Sequence, residues 1–240
     1  MKYIKAKSIS YGPKRPYSWV KGIAIHFTAN DNRRDTAEAE CRYFANGNQR
    51  QAGAHLFADQ YGGSCKSVPL CRPAWSVGIF FTRANGAAKY WGKLNNYNTI
   101  SIEMCDCASR DPSKKMIKTM KKLIKYIRKY CPNATQLVRH WDICGKNCPG
   151  RMSGGPGTKG YERWQKLLRD LGELPEQKKT TKKKTTKKKT TKPAPKKTNL
   201  VIVQEVVAGK WGNGKVRKQK LTAAGYDYAT IQRMVNKLLK

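Results

Sequence analysis

Two histidines, a cysteine, a glutamate and a lysine carry the chemistry that can be read in this chain of 240 residues. His140 and Cys148 share the segment Arg139-His140-Trp141-Asp142-Ile143-Cys144-Gly145-Lys146-Asn147-Cys148-Pro149-Gly150, and His26 closes the apolar run Gly22-Ile23-Ala24-Ile25. Two imidazoles and a thiolate are three ligands for Zn2+. Three protein ligands leave the fourth tetrahedral position to water, which is the arrangement of a catalytic site. A hydrolase of this kind also needs a base and a charge stabiliser. Glu103 is the candidate base, because it sits among apolar strand neighbours where a carboxylate is expensive unless it serves a site. Lys146 is the candidate oxyanion partner, because its loop is anchored by the metal through Cys148. The expectation is a zinc hydrolase.

These groups need rigid supports. Lys21 to Phe27 reads as a buried strand, Gly53 to Ala58 as a second, and Gln136 to His140 as a short third. Thr99 to Met104 alternates strictly, which puts Ile100, Ile102 and Met104 on one face and Ser101 and Glu103 on the other. Asp35 to Phe44 reads as a helix capped by Asp35. Ser113 to Tyr130 reads as a long amphipathic helix with Met116, Met120, Leu123, Ile124 and Ile127 at helical spacing, and Gly160 to Leu171 as a closing helix. Strands interleaved with helices indicate an α/β fold with a mixed central sheet flanked by helices over residues 1–175.

Residues 176–198 are a Lys/Thr/Pro tract that can bury nothing, so a disordered linker is expected. Residues 199–240 suit a small all-α three-helix bundle, over Leu200–Ala208, Lys215–Ala224 and Tyr228–Leu239. Val201, Val206, Trp211, Leu221, Ile231, Val235 and Leu238 would form its core. Trp211 reads either as a core aromatic or as a platform for a sugar ring.

The formal net charge is +35. All three parts are basic: about +19 over residues 1–175, +10 over 176–198 and +6 over 199–240. Such a molecule is drawn to polyanions. Nucleic acid, an anionic membrane and an anionic cell wall all qualify, but neither folded part shows a nucleic-acid motif. No apolar run approaches the ~20 residues of a membrane span, and no apolar h-region follows Met1-Lys2-Tyr3-Ile4-Lys5. The eight cysteines lack paired metal-site spacing, and the seven other than Cys148 read as reduced, packed thiols.

Ile23-Ala24-Ile25-His26-Phe27-Thr28, Ala52-Gly53-Ala54-His55-Leu56, Ile100-Ser101-Ile102-Glu103-Met104 and Arg139-His140-Trp141-Asp142 through Gly145-Lys146-Asn147-Cys148-Pro149-Gly150 resemble the zinc-dependent N-acetylmuramoyl-L-alanine amidases of the phage-lysozyme and peptidoglycan-recognition-protein type. The resemblance covers residues ~20–150. It implies zinc on His26, His140 and Cys148, Glu103 as acid/base and Lys146 on the oxyanion. Some members place a tyrosine beside the strand histidine; here that position is Ala54. His55 matches a family histidine expected to line or brace the cleft. Trp75 matches the first residue of a family Trp-His pair that reads Trp75-Ser76 here, and is carried over as a substrate contact.

Glu205-Val206-Val207-Ala208-Gly209-Lys210-Trp211-Gly212-Asn213-Gly214, with Arg217, Leu221 to Tyr228 and Val235 to Leu239, resembles the three-helix wall-binding repeat of certain phage lysins. That resemblance implies binding of muropeptide, with Arg217 at a ligand-contacting position. Together the two imply a phage or prophage endolysin that cuts Gram-positive peptidoglycan after release through a holin-type pore, with peptidoglycan and anionic wall polymers as partners, no specific nucleic acid and no membrane insertion. The competing readings are a recognition protein that binds without cutting, a stem-peptide zinc peptidase and a host autolysin.

Overall fold

A computed structural model of the chain describes residues 1–78, 87–175 and 198–238. The expected linker, apart from Thr198, lies outside the described residues. The chain divides into two compact units, Met1–Lys179 and Thr180–Lys240.

The first unit is built on one six-stranded mixed sheet. Its strands are β1 (Lys2–Tyr3), β2 (Gly22–Phe27), β3 (Leu56–Ala58), β4 (Ser64–Lys66), β5 (Thr99–Met104) and β6 (Gln136–Arg139), in the order β1-β4-β3-β5-β2-β6. Only the β3–β4 hairpin is antiparallel. Because β5, β2 and β6 run parallel side by side, their carboxyl ends emerge on one edge, where open α/β sheets bind ligands. The register pairs His26 with Glu103 directly.

Helices cover both faces. The helix α1 (Ala37–Arg42) packs Ala37 and Cys41 against Phe57, Cys65 and Cys105 on one face. On the other, α2 (Lys114–Tyr130) buries Met116, Met120, Leu123, Ile124 and Ile127 against Ile23, Ile25, Ile100, Ile102 and Met104. Each such side chain contributes roughly 1.5–3 kcal/mol on burial. Ser113 caps α2 by accepting from the Met116 amide. The short α3 (His140–Cys144) follows β6, and α4 (Lys159–Leu171) joins the α2 layer through Trp164, Leu167, Leu168 and Leu171.

Three expectations are corrected. Asp35 does not cap α1: Thr36 does, its hydroxyl accepting from the Ala39 amide at 3.2 Å. After Arg42 the helix widens into a π turn over Tyr43–Gly47. His140 is not the last residue of a strand but the first of α3, because Asp142 turns the chain there by accepting from the Arg139 amide at 2.8 Å.

The second unit has α5 (Asn199–Val207), α6 (Gly214–Ala223) and α7 (Tyr228–Leu238) around Ile202, Val203, Val206, Leu221, Ile231 and Val235. Val201, expected in this core, is 40% exposed, and Ile202 takes its place at 0%. The Leu238 side chain lies outside the described residues. No helix among the described residues is long and apolar enough to cross a membrane. All eight cysteines are free thiols, and all but Cys71 are buried.

Candidate metal centre

His26 sits near the end of β2, on the face that also carries Ala24, Ser101 and Glu103. The odd positions, Ile23 and Ile25, go to the opposite core. His140 arrives from β6, two strands from Glu103. Its position is fixed by Arg139, the last residue of β6 and the N-cap of α3. The buried guanidinium pairs with Asp142 through Nε at 3.0 Å and Nη2 at 2.7 Å, and donates to the carbonyls of Met152 and Gly154. A bidentate, fully hydrogen-bonded pair of this kind is rigid. Cys148 is brought back over His140 by the loop after α3. Gly145 ends the helix at φ 73°, and the Trp141 amide donates to the Cys148 carbonyl at 2.8 Å. Gly150 lets the loop lie on the sheet, since a Cβ there would meet the Phe27 ring at 2.6 Å.

The three candidate ligand atoms lie within 4.8 Å of one another. His26 Nδ1 is 3.7 Å from Cys148 Sγ. Tetrahedral zinc with bonds of about 2.1 and 2.3 Å separates a nitrogen and a sulfur ligand by about 3.6 Å. His26 Nε2, both ring nitrogens of His140 and Glu103 Oε2 are buried and make no hydrogen bond. Orphaned buried polar atoms are costly; a cation held by the trio would take one of the two free His140 nitrogens, and the unpaired Glu103 oxygen beside it suits a polarised water. Burial, then the charges of His140 and Lys146, holds His26 well below the ordinary imidazole range, and burial with Lys146 puts His140 at about 3. Both rings are therefore neutral and able to donate a lone pair. Burial pushes the Cys148 thiol up, so a cation is what would make it a thiolate.

Glu103 Oε1 lies 4.0 Å from His26 Nδ1. Burial, and then the carboxylate of Glu40, pushes Glu103 up to about 8, with Lys146 acting in the opposite direction. Lys146 itself is exposed on the loop beside Cys148.

His55 is fully buried. The Ser101 amide donates to its Nδ1 at 3.0 Å, which leaves Nε2 to donate to the Arg72 carbonyl at 2.9 Å. Of the two roles expected of it, lining or bracing, this geometry supports the brace. Trp75 is half-buried and meets Tyr97 edge-on at 6.0 Å. In the second unit, Trp211 is half-buried, donates from Nε1 to Glu205 at 3.1 Å and borders a cavity of about 560 Å³. Arg217 is held within its own bundle by the Gly212 carbonyl, Asn213 and Gln232.

The sequence reading missed Asp35 and Glu40. Asp35 Oδ2 accepts from Thr28 Oγ1 and from the Asp106 amide, both at 2.5 Å. It thus ties the chain just beyond β2 to the chain just beyond β5, the two strands carrying His26 and Glu103. Asp106 is held at φ 55°, a conformation costly for a non-glycine residue. Glu40, one turn into α1, is pushed up to about 7 by burial and then by hydrogen bonding to Asp35. Asp35→Asn keeps an accepting oxygen and should leave thermal stability nearly unchanged. Asp35→Ala strands two donors and should cost about 1–3 kcal/mol. Equal melting temperatures for the two variants would remove the brace.

A neutral imidazole pair and a thiol beside a carboxylate, on the carboxyl edge of a mixed sheet, define an α/β protein with a candidate metal-hydrolase centre. The comparisons narrow this. The family model described as N-acetylmuramoyl-L-alanine amidase matches residues 14–151, and the CW_7 repeat matches residues 201–239. The chain belongs to the N-acetylmuramoyl-L-alanine amidase family. It is 31% identical over 137 residues to the N-acetylmuramoyl-L-alanine amidase BlyA of Bacillus subtilis, a match spanning 54% of this chain and 36% of that protein. The match thus takes in about a third of the curated relative's length. The fold is similar to that of PlyL, at a TM-score of 0.53 and 23% identity over 71% of this chain and 96% of the other. It is also similar to that of a mutant endolysin from Bacillus subtilis, at 0.52 and 22% over 71% and 97%.

Proposed function

We propose that the chain is a zinc-dependent amidase that cuts the bond between N-acetylmuramic acid and the L-alanine of the stem peptide. The observation that carries this reading is the convergence of His26, His140 and Cys148 beside Glu103, in a chain of this family. The three would hold zinc, which when bound polarises a water and the scissile carbonyl and lowers the water's pKa toward neutrality. Glu103 takes the proton as that water attacks; Lys146 and the bound cation would favour its ionised form against the effect of burial, leaving it a base for this step. It then delivers the proton to the departing alanine nitrogen. The Lys146 ammonium faces the charge that develops on the carbonyl oxygen. Asp35 and Arg139 keep the strand ends, and so His26, Glu103 and His140, in register.

In this proposal residues 1–175 are the catalytic domain and 199–240 a wall-binding repeat, joined by residues 176–198. Trp211 and Arg217 are the repeat's candidate contacts with muropeptide. Tethering a binder to a catalyst raises local substrate concentration without new contacts at the active site. An endolysin that reaches a Gram-positive wall through a holin-type pore is the biological role that fits.

The test is digestion of purified Gram-positive peptidoglycan with and without a chelator, followed by mass spectrometry. Free stem peptides beginning at L-alanine, intact glycan strands and loss of activity on chelation are expected. Cuts within the stem peptide would make the chain a peptidase, and cut sugars would overturn the site. Wall binding with no products would leave a recognition protein.

A further inference from the structure

The helix α2 presents a dense positive charge. Its seventeen residues carry eight lysines and arginines and no acid. Lys114, Lys115, Lys118, Lys121, Lys122, Lys125 and Lys129 are all exposed. Among the described residues only Arg128 has a partner of opposite charge on this helix, Glu173 at 2.7 Å. The helix does not need this arrangement. Like charges spaced four apart on one face destabilise a helix by a few tenths of a kcal/mol per pair. Lys114 and Lys115 also stand in the first turn, where the macrodipole favours acids.

The charges are organised. Lys118, Lys121, Lys125 and Lys129 follow one another at spacings of three and four, which puts neighbours about 5–6 Å apart in a row on one side of the helix. From Lys114 to Lys129 the charges span about 22 Å. A groove of about 750 Å³ runs along this row to the end of α4, lined by Lys121, Lys122, Lys125 and Lys129 together with the Arg128–Glu173 ion pair. It lies on the side of the sheet opposite the His26–Glu103 face, so an occupant would leave the metal centre clear.

We infer that this face of α2 is a docking surface for a linear phosphodiester polymer of the cell wall. A row of point charges whose one neighbouring carboxylate, Glu173, is already paired with Arg128 suits an evenly charged flexible strand and no particular sequence. Nucleic acid fits less well, because single strands are held by free aromatic faces. Here Tyr17 and Tyr130 are partly exposed, but they pack on one another at 6.1 Å, Tyr126 meets Tyr130 edge to face at 5.1 Å, and the Lys129 ammonium lies over the Tyr130 ring. The choice of a wall polymer rests on the reading of the chain as a wall hydrolase. Binding it would hold the enzyme on the wall independently of the C-terminal repeat.

The test uses the full chain and a variant with Lys121, Lys122, Lys125 and Lys129 all changed to Gln. Affinity for soluble poly(glycerol phosphate), and for a single-stranded DNA oligomer with the same number of phosphates, is measured across a salt series. For the polymer, the variant's log affinity should fall less steeply with log salt, its slope shallower by about 3, at roughly 0.7 per lost phosphate contact. Its loss of affinity should be greater for the polymer than for DNA. Turnover of a soluble muropeptide should match the parent, so a failed amidase reading would show as absent turnover in both proteins and leave the binding result standing. Unchanged slopes would overturn the proposal, and so would an equal or greater loss for DNA. The same four positions changed to Arg keep the charge and should restore binding; if they do not, charge is not what the surface offers.

Discussion

Glu103→Gln is expected to lose about 100- to 10,000-fold in turnover, the range general acid–base groups supply, while keeping its full zinc content. The two halves of this result come from different atoms. The substitution replaces one carboxylate oxygen by an amide of the same shape, so β5 keeps its pairing with His26. The amide can neither take a proton from water nor pass one to the leaving nitrogen. The metal trio does not include Glu103, so metal content is predicted to be untouched. Removing a buried carboxyl pushed up to about 8 also relieves a desolvation cost, and the variant should melt no lower than the parent. Single-turnover kinetics on a soluble muropeptide and elemental analysis check both halves. Turnover like that of the parent would take the proton-transfer role away from Glu103. Loss of zinc would mean that Glu103 is a ligand.

Much of this centre was legible before the fold was known, and the reason lies in the strands. Strict alternation over Thr99–Met104 gives β5 its register, and a period of two admits no intermediate answer. Glu103 is therefore on the face opposite Ile100 and Ile102 whatever the rest of the chain does, as the structure has it. His26 is legible for a similar reason, as a polar residue ending an apolar run. What failed depends on contacts distant in sequence. Asp35 and Thr36 are both good helix caps, and local sequence does not choose between them. The choice is made by Thr28 and by the Asp106 amide, 71 positions away, which draw Asp35 inward and leave the cap to Thr36. His140 looked like the end of a strand because Gln136 to Arg139 is one. The turn after it is made by Asp142 reaching back to Arg139, a pair that carries no periodic signal. In α5, Leu200 to Val203 is apolar at every position. Such a run defines no unique buried face, and the choice of Ile202 over Val201 waits on α7.

His140→Ala is expected to abolish stoichiometric zinc, and its signature is thermal as well as analytical. A ligand that binds only the folded chain stabilises it by about 2.7 kcal/mol at a hundred times its dissociation constant. For a unit of this size, each kcal/mol is worth about 2–4 °C in melting temperature. Chelation should therefore lower the melting temperature of the parent's first unit by on the order of 5–10 °C. The variant should start near that lowered value, and neither chelator nor added zinc should move it. His140 is 1% exposed and neither of its ring nitrogens makes a hydrogen bond. Removing the ring thus breaks no hydrogen bond, and what the substitution costs beyond a small cavity is the cation's contribution. Cys148→Ser is the second arm. It keeps the loop geometry set by the Trp141 amide on the Cys148 carbonyl but offers zinc a hydroxyl in place of a thiolate, so zinc affinity should fall by several orders of magnitude while the metal-free melting temperature holds. A full zinc complement in His140→Ala, or a chelator shift as large in that variant as in the parent, would show that the cation sits elsewhere and that His26, His140 and Cys148 converge for another reason.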